Sequence, residues 1–202
     1  YSSVTPDAAE TLLASGPRRS ADGRIQTRAI KFYMDGSLGS RSAALFAPYA
    51  DRAGETGLLL QKREDVLPLY ERALRRGIQI ATHGIGDRGN AMVLDLYADA
   101  FANVPEDARA ERKPRWRVEH AQHLRREDIA RFEALGVIAS MQPSHAISDL
   151  HFAHERLGVD RLDGAYAWAS LLQSRAIVAG GSDAPVEQGD PLIEFYAAVA
   201  RR

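Results

Sequence analysis

The sequence contains no cysteine among its 202 residues. This absence excludes disulfide bonds, thiolate metal ligands and a cysteine nucleophile. Any metal site in this chain must therefore be built from histidine, aspartate, glutamate or a modified lysine.

Long hydrophobic runs and an excess of charge are also missing. No apolar stretch approaches the ~20 residues that a membrane-spanning helix needs, and the first residues do not have the basic and apolar regions of a signal peptide. The formal net charge is −1, so the overall charge does not favour nucleic acid or an anionic membrane as a partner. We therefore expect a cytoplasmic protein that acts on a small molecule, with neither nucleic acid nor membrane as partner.

Strand and helix patterns alternate along most of the chain. The predicted strands are 28–34, 78–83, 115–120, 137–141 and 176–181, and the predicted helices are 5–15, 64–76, 87–103, 126–135, 166–173 and from 191 onward. This alternation predicts an α/β fold with a parallel sheet and right-handed crossovers. A loop at 35–62 is rich in glycine, serine and alanine, and loops of this length are usually functional or disordered.

Polar residues stand at the ends of three predicted strands, where His83, His120 and Asp183 follow apolar residues. In an α/β barrel, catalytic residues gather at the carboxyl ends of the strands. Lys31 lies in the middle of the strand at 28–34, on the face opposite its apolar neighbours. If the apolar face packs on helices, Lys31 points into the barrel, where an ammonium group needs a carboxylate partner or a chemical modification.

Each of these residues, taken singly, has an ordinary structural explanation. A strand-end histidine is more often a hydrogen-bonded structural group than a ligand. An aspartate after Gly-Ser usually forms a turn or a helix cap, and a lysine in a strand usually lies at an edge. The joint pattern, in chain order, instead favours a site for a divalent cation such as zinc or manganese.

Five short motifs occur in one order along roughly residues 25–190. They are KFYMDGSLGSR at 31–41, HGIGD at 83–87, VEHAQ at 118–122, MQPSHA at 141–146 and GSDAPV at 181–186. Each is weak alone, but together they are specific. With these motifs the chain resembles the amidohydrolase superfamily, in the branch of the YtcJ-like proteins and N-substituted formamide deformylase.

The resemblance implies a (β/α)8 barrel hydrolase, of which this chain supplies about strands four to eight. It implies that Lys31, in carboxylated form, binds one or two divalent metal ions together with His83, His120 and Asp183, with zinc as the expected ion. The implied reaction is hydrolysis of an amide or other non-peptide C–N bond by a metal-activated water. Asp183 would also carry the proton from that water to the leaving nitrogen.

One departure from the family pattern concerns the first barrel strand, where the family carries a His-x-His pair. No two of the six histidines here are separated by one residue. We therefore expect residues 1–202 to form a partial barrel domain that lacks the first three strands and the flanking β-sandwich. Two alternatives stay open: a catalytically inactive fragment or interaction module, and a metal-dependent phosphoester hydrolase. Exposed strand edges of a partial barrel would favour self-association into a homo-oligomer.

Three further residues are candidates for contact with the substrate. Asp35 and Arg41 lie in the long loop that follows a predicted barrel strand, and His145 follows the strand at 137–141. Loops at this position often carry binding residues, although they also carry turns. A simple hydrogen bond within the loop is the alternative for His145.

Overall fold

The structure, a computed structural model, describes residues 2–4 and 8–200. Its strands are β1 (Ser2–Val4), β2 (Arg18–Arg19), β3 (Gln26–Tyr33), β4 (Gln79–Gly84), β5 (Arg117–His120), β6 (Ile138–Met141) and β7 (Ile177–Gly180). Six of them form a parallel sheet in the order β1-β3-β4-β5-β6-β7, and β2 pairs antiparallel with β3. The predicted α/β class is confirmed. Within the described residues the sheet does not close, since β1 and β7 do not pair.

The helices follow the strands as crossover connections. They are α1 (Ala9–Ser15), α2 (Arg63–Arg75), α3 (Asp87–Asn103), α4 (Arg126–Leu135), α5 (His145–Ser148), α6 (Ala153–Leu157), α7 (Trp168–Gln173) and α8 (Pro191–Ala200). Short 3-10 turns lie at Glu106–Ala108, Asp149–His151 and Val159–Gly164. No helix in the described part of the chain is long and apolar enough to cross a membrane.

The first strand of the sheet requires a correction. We expected the strands of this chain to begin at the fourth barrel position, but β1 lies parallel beside β3 and so occupies the position before it. A strand of three residues shows too little alternation to be recognised in a sequence. The first residues of the helix predicted at 5–15 lie outside the described residues, and α1 is observed from Ala9.

The segment between β6 and α7 also differs from the expectation, because we predicted no regular structure there. It contains α5 and α6, of four and five residues, joined by 3-10 turns. Elements this short contain barely one turn, so their hydrophobic periodicity carries almost no signal. The loop at 35–62 contains neither helix nor strand, as predicted.

A buried aromatic cluster joins the sheet to the helices that cover it. Phe32 of β3 packs on Tyr70 of α2, and Trp116 contacts both Tyr70 and Tyr97 of α3. Thr82 of β4 enters this cluster, with its Oγ1 atom 3.0 Å from the Tyr70 hydroxyl and 2.8 Å from the Tyr97 hydroxyl. Since successive strand residues face opposite sides, this packing directs the residue after Thr82 to the other face of the sheet.

The Thr82 hydroxyl can be removed with little change of shape by the substitution Thr82→Val. The Tyr70 hydroxyl then loses its buried partner, and we expect the free energy of unfolding to fall by about 1–3 kcal/mol, measured by urea denaturation. Thr27→Val, at a half-buried strand position without a side-chain hydrogen bond to a described residue, is the control and should cost about 0.5 kcal/mol or less. Equal losses in the two variants would contradict this account of the cluster.

Candidate metal centre

Two imidazole rings lie together at the carboxyl end of the sheet. His83 of β4 and His120 of β5 have ring centroids 4.5 Å apart. Strict alternation would direct His120 to the same side as Val118, toward the helices. The backbone of His120 is left-handed, with φ 75°, and so is that of Ala121, with φ 42°. This conformation is uncommon for residues other than glycine, and it places the His120 ring beside His83.

The hydrogen bonds of the two rings involve different nitrogen atoms. Nε2 of His83 lies 3.1 Å from the carbonyl oxygen of Gly36. Nδ1 of His120 lies 2.8 Å from Oε1 of Gln142. Oxygen atoms of carbonyl groups only accept, so each of these nitrogens carries the hydrogen of a neutral ring. The lone pair is therefore on Nδ1 of His83 and on Nε2 of His120, and these are the atoms available to a metal ion.

Burial keeps both rings neutral. It lowers the pKa of His83, with a smaller opposing effect of the hydrogen bond to the Gly36 carbonyl. Burial also lowers the pKa of His120 to about 2, and the nearby charges of His83, Lys31 and His145 act in the same direction. Neutral imidazole is the form that binds divalent metals, so the electrostatics of both rings fit a metal centre.

Lys31 lies half-buried on the same face of the sheet, with Nζ 5.3 Å from the centroid of the Tyr33 ring. Burial lowers the pKa of its amine, and the carboxylates of Glu119 and Asp183 oppose this change. Glu119 is buried and pairs with His83 in the strand register. Its carboxylate lies 2.7 Å from the Arg117 guanidinium. The sequence offered no reason to select Glu119, because it reads there as an ordinary strand residue.

Asp183 is the predicted ligand farthest along the chain. It is exposed, in the turn after β7, with a left-handed backbone of φ 57°. It is near enough to act electrostatically on His83 and Lys31. In the described part of the chain, however, no three histidine, aspartate or glutamate side chains converge closely enough to hold a metal ion.

Asp35, predicted as a substrate contact, lies beneath the histidines rather than in an open pocket. It is 1% exposed, and its carboxylate accepts hydrogen bonds from the backbone N–H groups of Ala44 (2.9 Å), Ile85 (3.0 Å) and Gly86 (2.8 Å). Its Oδ1 atom lies 3.5 Å from Nε2 of His83. Burial raises the pKa of Asp35 to about 6, opposed by the three amides. With its oxygens occupied by backbone amides, Asp35 has a structural role beside His83, and its predicted contact with a substrate stays a prediction.

Arg41, the second predicted substrate contact, is engaged within the loops. Its guanidinium forms a bidentate pair with Asp51, at 2.7 and 3.2 Å, and Arg156 of α6 contacts the same carboxylate. This arrangement ties the loop after β3 to the segment after β6. Arg41 thus takes part in a structural ion pair, and its predicted contact with a substrate stays a prediction.

His145, the third predicted substrate contact, does lie beside the histidine pair. Its ring stacks on that of His120, with centroids 5.7 Å apart and planes 18° apart. Its Nε2 atom is buried without a hydrogen-bond partner among the described residues, 3.9 Å from a carboxylate oxygen of Glu187. Three histidines thus lie in a row across the ends of β4, β5 and β6.

The remaining histidines lie outside this row. His123 is fully buried against Tyr166, with ring centroids 5.2 Å apart, and burial lowers its pKa to about 3. His151 and His154 are exposed, as expected.

The buried amide of Asn90 had no signal in the sequence. Its Nδ2 atom lies 2.9–3.2 Å from four carbonyl oxygens, three at the end of β4 and in the turn after it, and the fourth on His123. Its partners depend on the tertiary fold, which the sequence pattern does not reveal.

The Amidohydrolase family model matches residues 5–202, so this chain belongs to the amidohydrolase family. It is 38% identical over 173 residues to "Protein LONG AFTER FAR-RED 3" of Arabidopsis thaliana, covering 85% of this chain and 29% of the relative. It is 34% identical over 178 residues to "Putative amidohydrolase YtcJ" of Bacillus subtilis (strain 168), covering 88% of this chain and 32% of the relative. The resemblance to the YtcJ-like branch is thereby confirmed.

A solved structure is similar over the whole chain. It is an uncharacterized metal-dependent hydrolase from Pyrococcus horikoshii OT3, with a TM-score of 0.87 and 31% identity. The alignment covers 100% of this chain and 39% of that protein. This chain therefore spans about a third of the length of the two sequence relatives and two fifths of the solved structure.

Replacing Asp35 tests how far the site depends on this buried carboxylate. Asp35→Ala leaves three backbone amides without their acceptor, at a cost of about 1–3 kcal/mol each. We expect the free energy of unfolding to fall by about 3 kcal/mol or more, measured by urea denaturation. Asp190→Ala is the control, because Asp190 is an exposed carboxylate that accepts one amide, from Leu192 at 2.8 Å, at the start of α8. The control should cost about 1 kcal/mol, and a loss in Asp35→Ala no greater than this would contradict the role given to Asp35.

Proposed function

We propose that this chain is the metal-binding part of a hydrolase that cleaves amide or other non-peptide C–N bonds. The observation that carries the proposal is the pair of neutral imidazoles of His83 and His120, whose unprotonated nitrogens are left available at the carboxyl end of a parallel sheet. Membership of the amidohydrolase family and the likeness to a metal-dependent hydrolase support it.

The ligands in this proposal are His83, His120, Lys31 and Asp183. Two imidazoles and oxygen ligands suit zinc, the ion we favour, although manganese accepts the same donors. The burial that lowers the pKa of Lys31 favours its neutral amine, which is the form able to take up carbon dioxide as a carbamate. A carboxylated Lys31 would add an anionic oxygen ligand to the two imidazoles.

A bound divalent ion would lower the pKa of a coordinated water and polarise the substrate carbonyl. The chain's own residues would handle the proton and the substrate. Asp183, exposed after β7, would accept a proton from the water on a carboxylate oxygen and return it to the leaving nitrogen. His145 would contact the substrate through Nε2, which has no other hydrogen-bond partner among the described residues.

The sheet itself would be one arc of a (β/α)8 barrel, with the polar side of β3, β4 and β5 facing its interior. Apolar surface at the far edge supports this proposal, since Ile177 of β7 is 55% exposed and Phe195 of α8 is 69% exposed. The remaining barrel strands, the His-x-His pair of the family and the β-sandwich would belong to a longer protein of which residues 1–202 form a part.

A second candidate is a catalytically inactive fragment or interaction module that keeps the family's fold. It is favoured because, among the described residues, no group of three histidine, aspartate or glutamate side chains could hold a metal ion. The third reading, phosphoester hydrolysis, would call for free basic residues near the site, and Arg41 is instead paired with Asp51.

Metal content discriminates between the first two candidates. After incubation with zinc and dialysis, elemental analysis of the wild-type chain should give close to one zinc or more per chain. The double variant His83→Ala/His120→Ala should lose it, because it removes both imidazole ligands. His151→Ala/His154→Ala is the matched control, with two exposed histidines removed, and should keep the metal. The proposed metal centre would be contradicted if the wild-type chain held no zinc, or if both double variants lost zinc equally.

A further inference from the structure

Gln142 is a buried amide directly after β6, and both ends of its side-chain amide make hydrogen bonds. It is 8% exposed. Its Nε2 atom lies 3.3 Å from the carbonyl oxygen of Ser140, and its Oε1 atom lies 2.8 Å from Nδ1 of His120. The amide therefore connects the end of β6 with the histidine at the end of β5.

The Ser140 carbonyl determines the orientation of this amide. A carbonyl only accepts hydrogen bonds, so the NH2 group of Gln142 must face Ser140. The flipped amide would set two oxygen atoms against each other at that contact. Oε1 of Gln142 is consequently directed at His120. Since an amide oxygen also only accepts, Nδ1 of His120 must carry the hydrogen, and its Nε2 must hold the lone pair.

The His120 ring is held in place by its neighbours. Its backbone is left-handed, and the ring lies between His83, at a centroid distance of 4.5 Å, and His145, at 5.7 Å. With the ring held in this way, its hydrogen-bond partner determines which nitrogen is available for a ligand. In known metal sites, such orienting partners of ligating histidines tune both tautomer and affinity.

We propose that Gln142 is a positioning residue that fixes the Nδ1–H tautomer of His120 and so leaves Nε2 free to bind a divalent cation. The statement about the cation rests on the proposed function. The statement about the tautomer does not, because it follows from the contacts between the protein's own residues. Within the MQPSHA motif, no sequence signal distinguishes Gln142 from its neighbours.

The test uses the full 202-residue chain, labelled with 15N, and long-range 1H–15N spectra that report histidine tautomers. The His120 signals are assigned from their loss in His120→Gln. Wild type should show the Nδ1–H form. In the nearly isosteric Gln142→Met the strong acceptor is gone, and the His120 signals should move away from this form. Gln142→Glu keeps an acceptor oxygen for Nδ1–H and, when its other oxygen is protonated, a donor for the Ser140 carbonyl, so it should preserve this form.

Zinc affinity gives the second readout, measured by competition with a chromophoric chelator. We expect Gln142→Met to bind zinc about 10–100-fold more weakly than wild type, and Gln142→Glu to retain binding. Gln122→Met is the matched control. Gln122 is also a buried amide, 4% exposed, but it bonds Asp149 and Tyr166 instead of His120. This variant should leave both the His120 tautomer and the zinc affinity unchanged.

Three results would overturn the positioning role: an Nε2–H tautomer in wild type, an unchanged Nδ1–H tautomer in Gln142→Met, or an equal change in Gln122→Met. If Gln142→Met does not fold, the wild-type tautomer and Gln142→Glu decide, and loss of the Nδ1–H form in Gln142→Glu contradicts the proposal. If the tautomer responds as expected but wild type binds no zinc, the proposed function fails and the control of the tautomer stands. A changed tautomer with unchanged zinc affinity removes the link to the cation.

Discussion

The site depends on one buried carboxylate, that of Asp35. An isolated charge inside a protein is costly unless hydrogen bonds replace the lost water. Here three backbone amides do so, from Ala44 in the loop after β3 and from Ile85 and Gly86 in the turn after β4. The carboxylate also lies at the start of α3, where the positive end of the helix dipole favours an anion. Two segments far apart in sequence are therefore fixed to one group, directly beside His83.

Close packing around this carboxylate explains Gly86 of the HGIGD stretch and Gly89, two residues after it. A Cβ atom on Gly86 would lie 2.0 Å from the Ala44 carbonyl oxygen, and one on Gly89 would lie 2.4 Å from Oδ2 of Asp35. Any larger residue would separate the loop from the start of α3. These glycines thus serve a close approach of backbone segments, and they need no phosphate or nucleotide to explain them. The same close approach fixes the turn that follows His83.

From the sequence we could predict the features that depend on local periodicity, such as the direction of side chains along a strand. Alternation within β3 and β4 correctly placed Lys31 and His83 on the face opposite the helices, because the strand period is strictly local. It could not place His120, whose orientation comes from a left-handed backbone. Nor could it show that Asp35 and Arg41 were already engaged. Two amides that occupy Asp35 come from another segment, up to 51 residues away. The acceptor of Arg41 is Asp51 of the same irregular loop, and no hydrophobic periodicity marks such a pair.

The two faces of the sheet carry different groups: one face packs against the helices, and the other carries the two histidine rings. On one face, Thr82 and its aromatic neighbours form a core in which the polar atoms described above are paired within the protein. On the other face, His83 and His120 each use one ring nitrogen to bond the protein and keep the second available. The core that stabilises the sheet thus lies on the side opposite the two histidine rings. The hydrogen bonds that the two rings donate to the Gly36 carbonyl and to Gln142 leave the other nitrogen of each ring unprotonated.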